Sequence, residues 1–468
     1  MGINFDLKLN KKLLMISMEN IVALDQLKKW SLALVIFGSL IIGPTSFAAP
    51  KIQHWTTENG ARVYFVPAPE LPMVDIQVVF DAGGARNGDQ GGIAHLTNTL
   101  LDDGAGDYNA DQIAEEFEGL GARLGMSAHR DMAVVSLRSL TDETLLNRAI
   151  EMLKEILIRP TFPADSLERE RNQMLLALRA EQQQPSSIAS KAFMKAVFGD
   201  HPYGRHPLGT IKSVKTLTRD DVVAYYQHYY VAKNAVIAVV GAIDRNQAEN
   251  VVADLVSELP AGDAAPPLPK VKALDEEKSI HIGFPSSQTH VLVGQPGMTR
   301  DDPDYFPLYV GNHVLGGSGL VSRISEEVRE KRGLSYSAYS YFSPMRKKGP
   351  YTLGLQTKNE QTDEALKVLL DTLNEFIENG PSKKELKASK QNITGGFPLR
   401  ISSNSKIVGN LSSIGFYGLP LDYLDTFNAK VEAVTVEDIK TAFKRRIDPH
   451  RLITITVGGD KIPNEPAS

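Results

Sequence analysis

Two kinds of residue in this 468-residue sequence could take part in metal or acid–base chemistry, and the first is histidine. Because the chain has no Cys, any metal site must be built from His, Asp or Glu. His95 is followed by Asn98 and Thr99, and alone it is most simply interpreted as a helix-start residue that is hydrogen-bonded to backbone. His201 and His206 flank Pro-Tyr-Gly-Arg, which predicts a loop with a structural role. No acidic pair lies near that loop to complete a tetrahedral metal site.

The second kind is a pair of hydrogen-bond donors, Arg329 and Tyr336, seven residues apart. A guanidinium and a phenol can both donate to a peptide carbonyl whose oxygen gains negative charge at the transition state of hydrolysis. The structural alternative is that Arg329 closes a solvated charged helix, with Gly333 as its left-handed cap. That helix also contains Glu326, Glu327, Glu330, Lys331 and Arg332.

A glycine-rich segment precedes this charged helix and consists of Gly316, Gly317, Ser318 and Gly319. Glycines there would let the backbone approach an extended peptide closely. A tight turn ahead of a helix starting near Leu320 explains them equally well.

Composition and charge exclude several classes of protein. Hydrophobic residues make up 42% and charged residues 23%, which is typical of a folded globular chain. The 51 Lys and Arg against 56 Asp and Glu give a net charge of −5 with no basic block, so nucleic acid is not an expected partner.

The amino terminus has the features of an export signal. Lys28 and Lys29 precede an apolar run at 32–42, and Ser46 and Ala48 are the small residues of a cleavage site. We predict a signal peptide at 1–48 and export, to the periplasm if the source is bacterial. The apolar run is short for a membrane span of about 20 residues. A retained signal that anchors the chain to the membrane is the alternative.

One structural unit is predicted to occur twice, at an offset of 216–218 residues. Leu153 and Leu369 lie in matching helices, and Pro163 and Pro381 begin the next helix of each half. Each half closes on a β-branched strand that ends in glycine, at 236–241 and 452–458.

The two units are separated by a proline-rich linker at 260–279, which places an N-terminal domain at 49–259 and a C-terminal domain at 280–468. Alternating strands, such as those at 62–66 and 74–80, are interspersed with amphipathic helices. We therefore predict an α+β fold with two homologous domains, each a mostly antiparallel sheet packed with helices.

The glycine-rich run at 83–95, which follows a strand and opens a helix, resembles a motif of the pitrilysin-like zinc metallopeptidases. That family includes insulin-degrading enzyme and the mitochondrial processing peptidase. With the duplicated halves and the segments at 109–112, 201–210 and 229–235, the resemblance covers essentially all of residues 50–460.

This sequence departs from the family's zinc motif, H-x-x-E-H, in which both His bind zinc and the Glu activates water. The first His is kept as His95, but Asn98 replaces the general base and Thr99 the second His ligand. Glu170 matches an earlier family Glu, and the ligand seven residues later falls on Ala177, or on Leu178 if the alignment shifts by one. The resemblance therefore implies that this chain has no metal or other cofactor of its own.

In active members the zinc comes from the first of four homologous domains, and an Arg/Tyr pair that matches Arg329 and Tyr336 comes from the fourth. The resemblance thus implies a noncatalytic subunit of an exported heterodimeric zinc peptidase that supplies this pair in trans. Its expected partner carries H-x-x-E-H and the zinc, and its expected substrates are peptides. One alternative is a structural or peptide-binding homologue with no catalytic role. Another, a self-sufficient zinc peptidase, would need an unconventional site.

Overall fold

The computed structural model of the chain describes residues 51–459. The predicted signal peptide, residues 1–48, lies outside the described residues. Within the described part, no helix combines the length and the apolar character that crossing a bilayer would require.

Strands of the first half form a six-stranded sheet and a small two-stranded one. They are β1 Gln53–Thr56, β2 Arg62–Pro67, β3 Met73–Phe80, β4 Gly104–Ala105, β5 Tyr108–Asn109, β6 Arg123–Ala128, β7 Ala133–Leu140 and β8 Ala235–Gly241. The large sheet has the order β1-β2-β8-β3-β7-β6, and β4 pairs with β5. The strand predicted at 74–80 is thus observed as β3.

Strands of the second half form a five-stranded sheet. They are β9 Lys278–Ile282, β10 Gln288–Pro296, β11 Ala338–Phe342, β12 Pro350–Lys358 and β13 Ile453–Val457, in the order β11-β12-β10-β13-β9. Read from its other edge, this order reproduces β2-β8-β3-β7-β6 of the first sheet. Each sheet has one parallel pair, β2 with β8 and β9 with β13, and its other pairs are antiparallel. The predicted α+β class with mostly antiparallel sheets is confirmed.

The helices repeat in the same way. The first half has α1 Ile93–Thr99, α2 Ala110–Gly119, α3 Glu143–Ile158, α4 Ala164–Glu181, α5 Pro185–Phe198, α6 Ile211–Thr216, α7 Arg219–Tyr229 and α8 Arg245–Val256. The second half has α9 Tyr305–Asn312, α10 Arg323–Ser325, α11 Thr362–Asn379, α12 Lys383–Arg400, α13 Asn404–Tyr417, α14 Tyr423–Ala433 and α15 Val436–Arg446. The starts of α3 and α11 are 219 residues apart, as are those of α5 and α13.

Local sequence explains where these helices begin and which face they bury. Asp142 caps α3, and the Ser382 side chain forms a reciprocal capping box with Glu385 at the start of α12. Apolar residues spaced three and four apart on α3 are buried in the core of the first half, among them Leu146, Ile150 and Leu153.

The two halves exchange one helix each. Helix α5 of the first half packs on β10 and β13 of the second sheet, where Phe193 and Val197 share a core with Ile455. In return, α13 of the second half packs on β3 and β8 of the first sheet. Sequence reasoning assigned residues 185–198 to the N-terminal unit, but in the structure this helix covers the sheet of the other half.

Strand β8 is buried on both faces because of this exchange. Ile237 and Val239 lie in the core formed by the helices of their own half. Val236, Ala238 and Val240 lie in a second core that also contains Leu411 of α13. Such double-sided burial explains the uninterrupted apolar sequence of β8.

Polar contacts and the segment between the halves also hold them together, and the described residues 51–459 pack as one unit. The Tyr203 hydroxyl donates to Asp131 at 2.6 Å, and the backbone N–H of Arg346 donates to the same carboxylate at 2.9 Å. Between α8 and β9 the described chain has neither helix nor strand, but Leu268 is buried there.

Candidate functional site

His95, the first residue of the altered zinc motif, lies in the first turn of α1 and is half-buried. Burial lowers the pKa of its imidazole, so the ring is neutral at pH 7. The hydrogen bond to backbone that the sequence predicts for His95 is not observed, because its ring makes no hydrogen bond with any residue in the part of the chain that the structure describes.

Asn98 and Thr99 occupy the next turn of α1, where the family has its base and second ligand. Asn98 is only 1% exposed, and its amide donates a 3.3 Å hydrogen bond to the hydroxyl of Tyr230. Burial raises the pKa of that phenol, which therefore stays protonated. The Asn98 side-chain oxygen has no hydrogen-bond partner among the described residues. Asn98 is therefore a neutral core residue and cannot serve as a proton acceptor.

The third ligand position lies on α4. Ala177 follows Glu170 by seven residues, nearly two helical turns, so both lie on the same side of α4. Ala177 is exposed, whereas Leu178, the alternative position, is 3% exposed and belongs to the apolar core. Over residues 51–459, no group of three or more His, Asp or Glu side chains could hold a metal ion.

The His201 loop has the structural role predicted for it. Ring atom Nδ1 of His201 accepts a hydrogen bond from the backbone of Tyr203 at 3.1 Å, and Nε2 lies 3.1 Å from the carbonyl of Pro269. His206 lies 3.7 Å from Glu181. His201 is thus hydrogen-bonded within the chain, whereas the Nδ1 atom of His206 is buried without a hydrogen-bond partner among the described residues.

Sequence reasoning missed a titratable carboxyl next to the altered motif. Asp102 ends the short turn that follows α1, and burial, with added repulsion from Asp103 and Glu170, raises its pKa to about 6. Arg169 pairs with Asp103 at 2.5 Å but makes no ion pair with Asp102. The sequence feature that could have indicated this carboxyl is the pair of consecutive acids, Asp102 and Asp103, directly after an apolar helix.

Arg329 of the second half lies in a π-helical turn, Glu326–Glu330. Gly333 ends the turn with a φ of 63°, so the predicted left-handed cap is confirmed. The N–H groups of Gly333 and Leu334 donate to the carbonyls of Arg329 and Val328, both at 2.9 Å. Each bond spans one residue more than in the usual helix cap, because π-helical turns are wider.

Ion pairs surround Arg329 but hold it weakly. Lys331 lies 2.6 Å from Glu327, and Arg332 contacts the same carboxylate at 2.6 Å. Among the described residues Arg329 pairs only with its neighbour Glu330, at 3.5 Å, and 35% of its side chain is exposed. The charged face expected from the structural alternative is present, but Arg329 takes only a loose part in its ion pairs.

Tyr336 is 88% exposed, while the backbone beside it is fixed. The hydroxyl of Ser335 donates to the carbonyl of Gln356 on β12 at 2.7 Å. The loop thus presents a phenol to solvent from an anchored backbone. No hydrogen bond joins Arg329 to Tyr336 in the described structure, so the two lie on one segment as separate donors.

The glycine-rich segment has structural reasons for two of its glycines. A side chain on Gly316 would lie 2.4 Å from the backbone of Ser340 on β11, so glycine allows this close packing. Gly319 has a φ of 65° and makes a turn. Gly317 is exposed, and Ser318 is half-buried.

Comparisons with known proteins agree with this architecture. Residues 62–211 match the family described as insulinase (peptidase family M16). Residues 216–393 match the family described as peptidase M16 inactive domain. The crystal structure of a peptidase M16 inactive domain from Pseudomonas fluorescens is 40% identical, with a TM-score of 0.85 over 89% of this chain and 100% of that one.

Of two further relatives, one is named as a zinc protease and the other as a non-peptidase homolog. A Bacillus subtilis protein named as an uncharacterized zinc protease, YmxG, is 27% identical over 77% of this chain and 87% of its own length. A Helicobacter pylori protein named as the non-peptidase homolog YmxG is 26% identical over 84% of this chain and 90% of its own.

The periplasmic protease PqqL from Escherichia coli has a similar fold, with a TM-score of 0.72 and 17% identity. The match spans 88% of this chain but 48% of PqqL. This chain thus has the extent of one half of that protein.

Proposed function

The chain belongs to the insulinase (peptidase M16) family, and we propose that it is the noncatalytic subunit of a heterodimeric zinc peptidase. Within the dimer it supplies Arg329 and Tyr336 to the active site of a homologous partner. The partner carries H-x-x-E-H and the zinc, and the substrates are peptides.

The exposure of Tyr336 is the observation that carries this proposal. The ring is 88% exposed and the neighbouring backbone is anchored by Ser335, so the phenol is held where a ligand or a second chain can contact it. Arg329, seven residues earlier, is 35% exposed and pairs among the described residues only with Glu330, at 3.5 Å. Both groups are therefore available to a ligand or to a second chain.

The altered zinc motif supports the noncatalytic part of the proposal. Asn98 cannot act as a base, Thr99 is a poor zinc ligand, and Ala177 has no ligand atom. The metal, held by the partner, would activate the attacking water. Arg329 and Tyr336 would donate hydrogen bonds to the peptide carbonyl oxygen as it gains negative charge.

The size of the chain supports the pairing. It has the extent of half of PqqL, whose single chain contains both halves. A second chain of similar size would complete a comparable four-domain shell.

Mixing the purified chain with its H-x-x-E-H homologue tests the proposal. We expect peptide hydrolysis that neither chain shows alone. Arg329→Ala or Tyr336→Phe in this chain should lower kcat by roughly 10²–10³, the loss typical of one oxyanion donor. Arg332→Ala is the matched control, because Arg332 lies in the same charged segment and pairs with Glu327. Undiminished activity with the Arg329, Tyr336 double variant would overturn the proposal.

A second candidate function is a structural or peptide-binding homologue. The ion pairs of Lys331 and Arg332 around Arg329 favour it, because they are typical of a solvated helix face. In that case the H-x-x-E-H homologue would be fully active alone, and adding this chain would not change its rate.

Export is a further part of the proposal. It is supported by the signal-like segment at 1–48 and is tested by fractionating the native cells. We expect the chain in the periplasmic fraction with Ala49 as its first residue. Recovery from the cytoplasm with an intact amino terminus would contradict export, and recovery from the membrane would indicate a retained anchor.

A further inference from the structure

A cavity of about 360 Å³ lies beside the glycine-rich segment in the second half of the chain. It is bordered by the π-helical turn His313–Gly317, by β11 and by the end of α12. Side chains and backbone that line it include Arg300, Tyr305, Tyr309, Gly317, Tyr341 and Arg400. This volume is enough for one or two peptide side chains.

The cavity is positively charged, since two arginines and no Asp or Glu line it. His313 also lines it, but burial lowers the pKa of its imidazole, so this ring adds no charge at pH 7. The nearby Asp302 and Asp304 are already bound by Arg446, at 2.5 and 2.7 Å.

Arg300 is half-buried and has no counter-charge. Its Nε atom is buried without a hydrogen-bond partner, and its guanidinium makes no ion pair with any residue of 51–459. The guanidinium carbon lies 5.5 Å from the ring centre of Tyr305, which supplies a weak attraction. A cation partly removed from water without an anion is costly, and a bound carboxylate would offset that cost.

Arg400 supplies the second charge at the opening of the cavity. It is exposed at the end of α12, and its Nη2 donates to the Tyr309 hydroxyl at 2.5 Å. The remaining donors of this guanidinium make no hydrogen bond or ion pair with any residue of 51–459 and can bind a ligand. Arginine donors match the planar geometry of a carboxylate, and tyrosine rings suit the apolar part of a side chain.

We propose that this cavity is a peptide subsite that binds a carboxylate, either of an acidic side chain or of a peptide C-terminus. Gly317, exposed at its edge, leaves the backbone open to an extended chain. The proposal rests on the proposed function only in taking a peptide as the ligand.

Binding of fluorescent peptides to the isolated chain, measured by anisotropy, tests the proposal without the partner subunit. Three peptides of one sequence distinguish the two carboxylate sources. The first has an internal Glu and an amidated C-terminus, the second has Gln in place of Glu with a free C-terminus, and the third has Gln and an amidated C-terminus. We expect the first, the second or both to bind about tenfold more tightly than the third.

The variants Arg300→Gln and Arg400→Gln should each reduce this preference, whereas Arg451→Gln should keep it. Arg451 is exposed, has its own partner in Asp448 and does not line the cavity. Since Arg400 lies at the surface, its variant should fold even if Arg300→Gln does not.

Equal binding of the three peptides to the unaltered chain would overturn the proposal, as would an unchanged preference in both folded variants. Inorganic phosphate that binds while no peptide carboxylate is preferred would also overturn it. Absence of hydrolysis after mixing with the partner would leave this measurement unaffected.

Discussion

The hydroxyl of Ser412 donates a 2.7 Å hydrogen bond to the side-chain oxygen of Gln77, 335 residues earlier in the chain. Ser412 lies on α13 and Gln77 on β3, so this bond joins a helix of the second half to the sheet of the first. The guanidinium of Arg62 on β2 donates to the carbonyl of Gly415 at 3.1 Å, which adds a second such link. Helix α13 is therefore an integral layer of the first half.

We predict that Gly415→Ala lowers the free energy of unfolding by about 1–3 kcal/mol. A Cβ there would lie 2.5 Å from the Tyr64 ring and 2.6 Å from Val236, which forces α13 away from the sheet. The matched control is Gly409→Ala on the same helix, where no atom lies within 4 Å. That change should raise stability by up to about 1 kcal/mol. Urea titration measures both, and equal effects of the two substitutions would contradict the tight packing.

The exchange of α5 and α13 could not be predicted from the sequence, although the repeat and the strands could. The β-branched run that ends in glycine predicts the strand β8, and the spacing of apolar residues on α3 predicts an amphipathic helix. Neither pattern specifies which sheet a helix covers, because the two halves offer similar apolar faces. That choice depends on the connections and on close contacts such as Gly415 against Tyr64.

Substitutions at Arg329 and Tyr336 should leave the isolated chain stable. Tyr336→Ala should change the free energy of unfolding by no more than about 0.5 kcal/mol, because the ring is 88% exposed. Arg329→Ala should have a similarly small effect, given its single long contact with Glu330. Thermal melts of the purified variants check this. A loss of several kcal/mol would mean that these residues maintain the fold instead of contacting a ligand.

Zinc binding should return when the three altered positions are restored together. We expect the variant Asn98→Glu, Thr99→His, Ala177→Glu to bind one zinc ion through His95 and two of the new side chains, as measured by elemental analysis. Without metal it should melt at a lower temperature than the parent, because position 98 is buried and would receive a charge. Zinc should raise its melting temperature.

Adding His95→Ala to this variant is the control and should abolish the zinc-dependent stabilisation. If the folded triple variant takes up no zinc, more of the site than these three residues has been lost.

Asp102 should make the chain less stable at high pH. Its folded pKa of about 6 lies above the ordinary 3.8, so its ionisation opposes folding. The cost is absent below pH 3.8, grows as pH rises towards 6 and is complete above that. Asp102→Asn should therefore raise the free energy of unfolding at pH 8 by about 1–3 kcal/mol and have little effect at pH 3.5.

The control for Asp102 is the exposed Asp107, whose replacement by Asn should have little effect at either pH. A benefit of Asp102→Asn that is the same at pH 3.5 and pH 8 would mean that a cause other than charge is responsible.

The candidate site was only partly predictable. Asn98, Thr99 and the Arg329/Tyr336 spacing stand out because they occupy recognisable motif positions. Arg300 lies in an ordinary polar loop between β10 and α9, and no spacing marks it. Arg446, nearly 150 residues later in sequence, pairs with Asp302 and Asp304, while Arg300 has no ion-pair partner among the described residues. Which arginine is paired and which is not is visible only in three dimensions.

The helix exchange also affects the order in which the chain can fold during its synthesis. When β8 has left the ribosome, Val236, Ala238 and Val240 remain uncovered until α13 has been made, about 170 residues later. At the usual 5–20 residues per second, this takes roughly 10–30 s. Helix α5 likewise remains without its packing partners until β10 and β13 have been synthesised. The nascent first half thus exposes one apolar surface until α13 has been made and another until the last strand, β13, is complete.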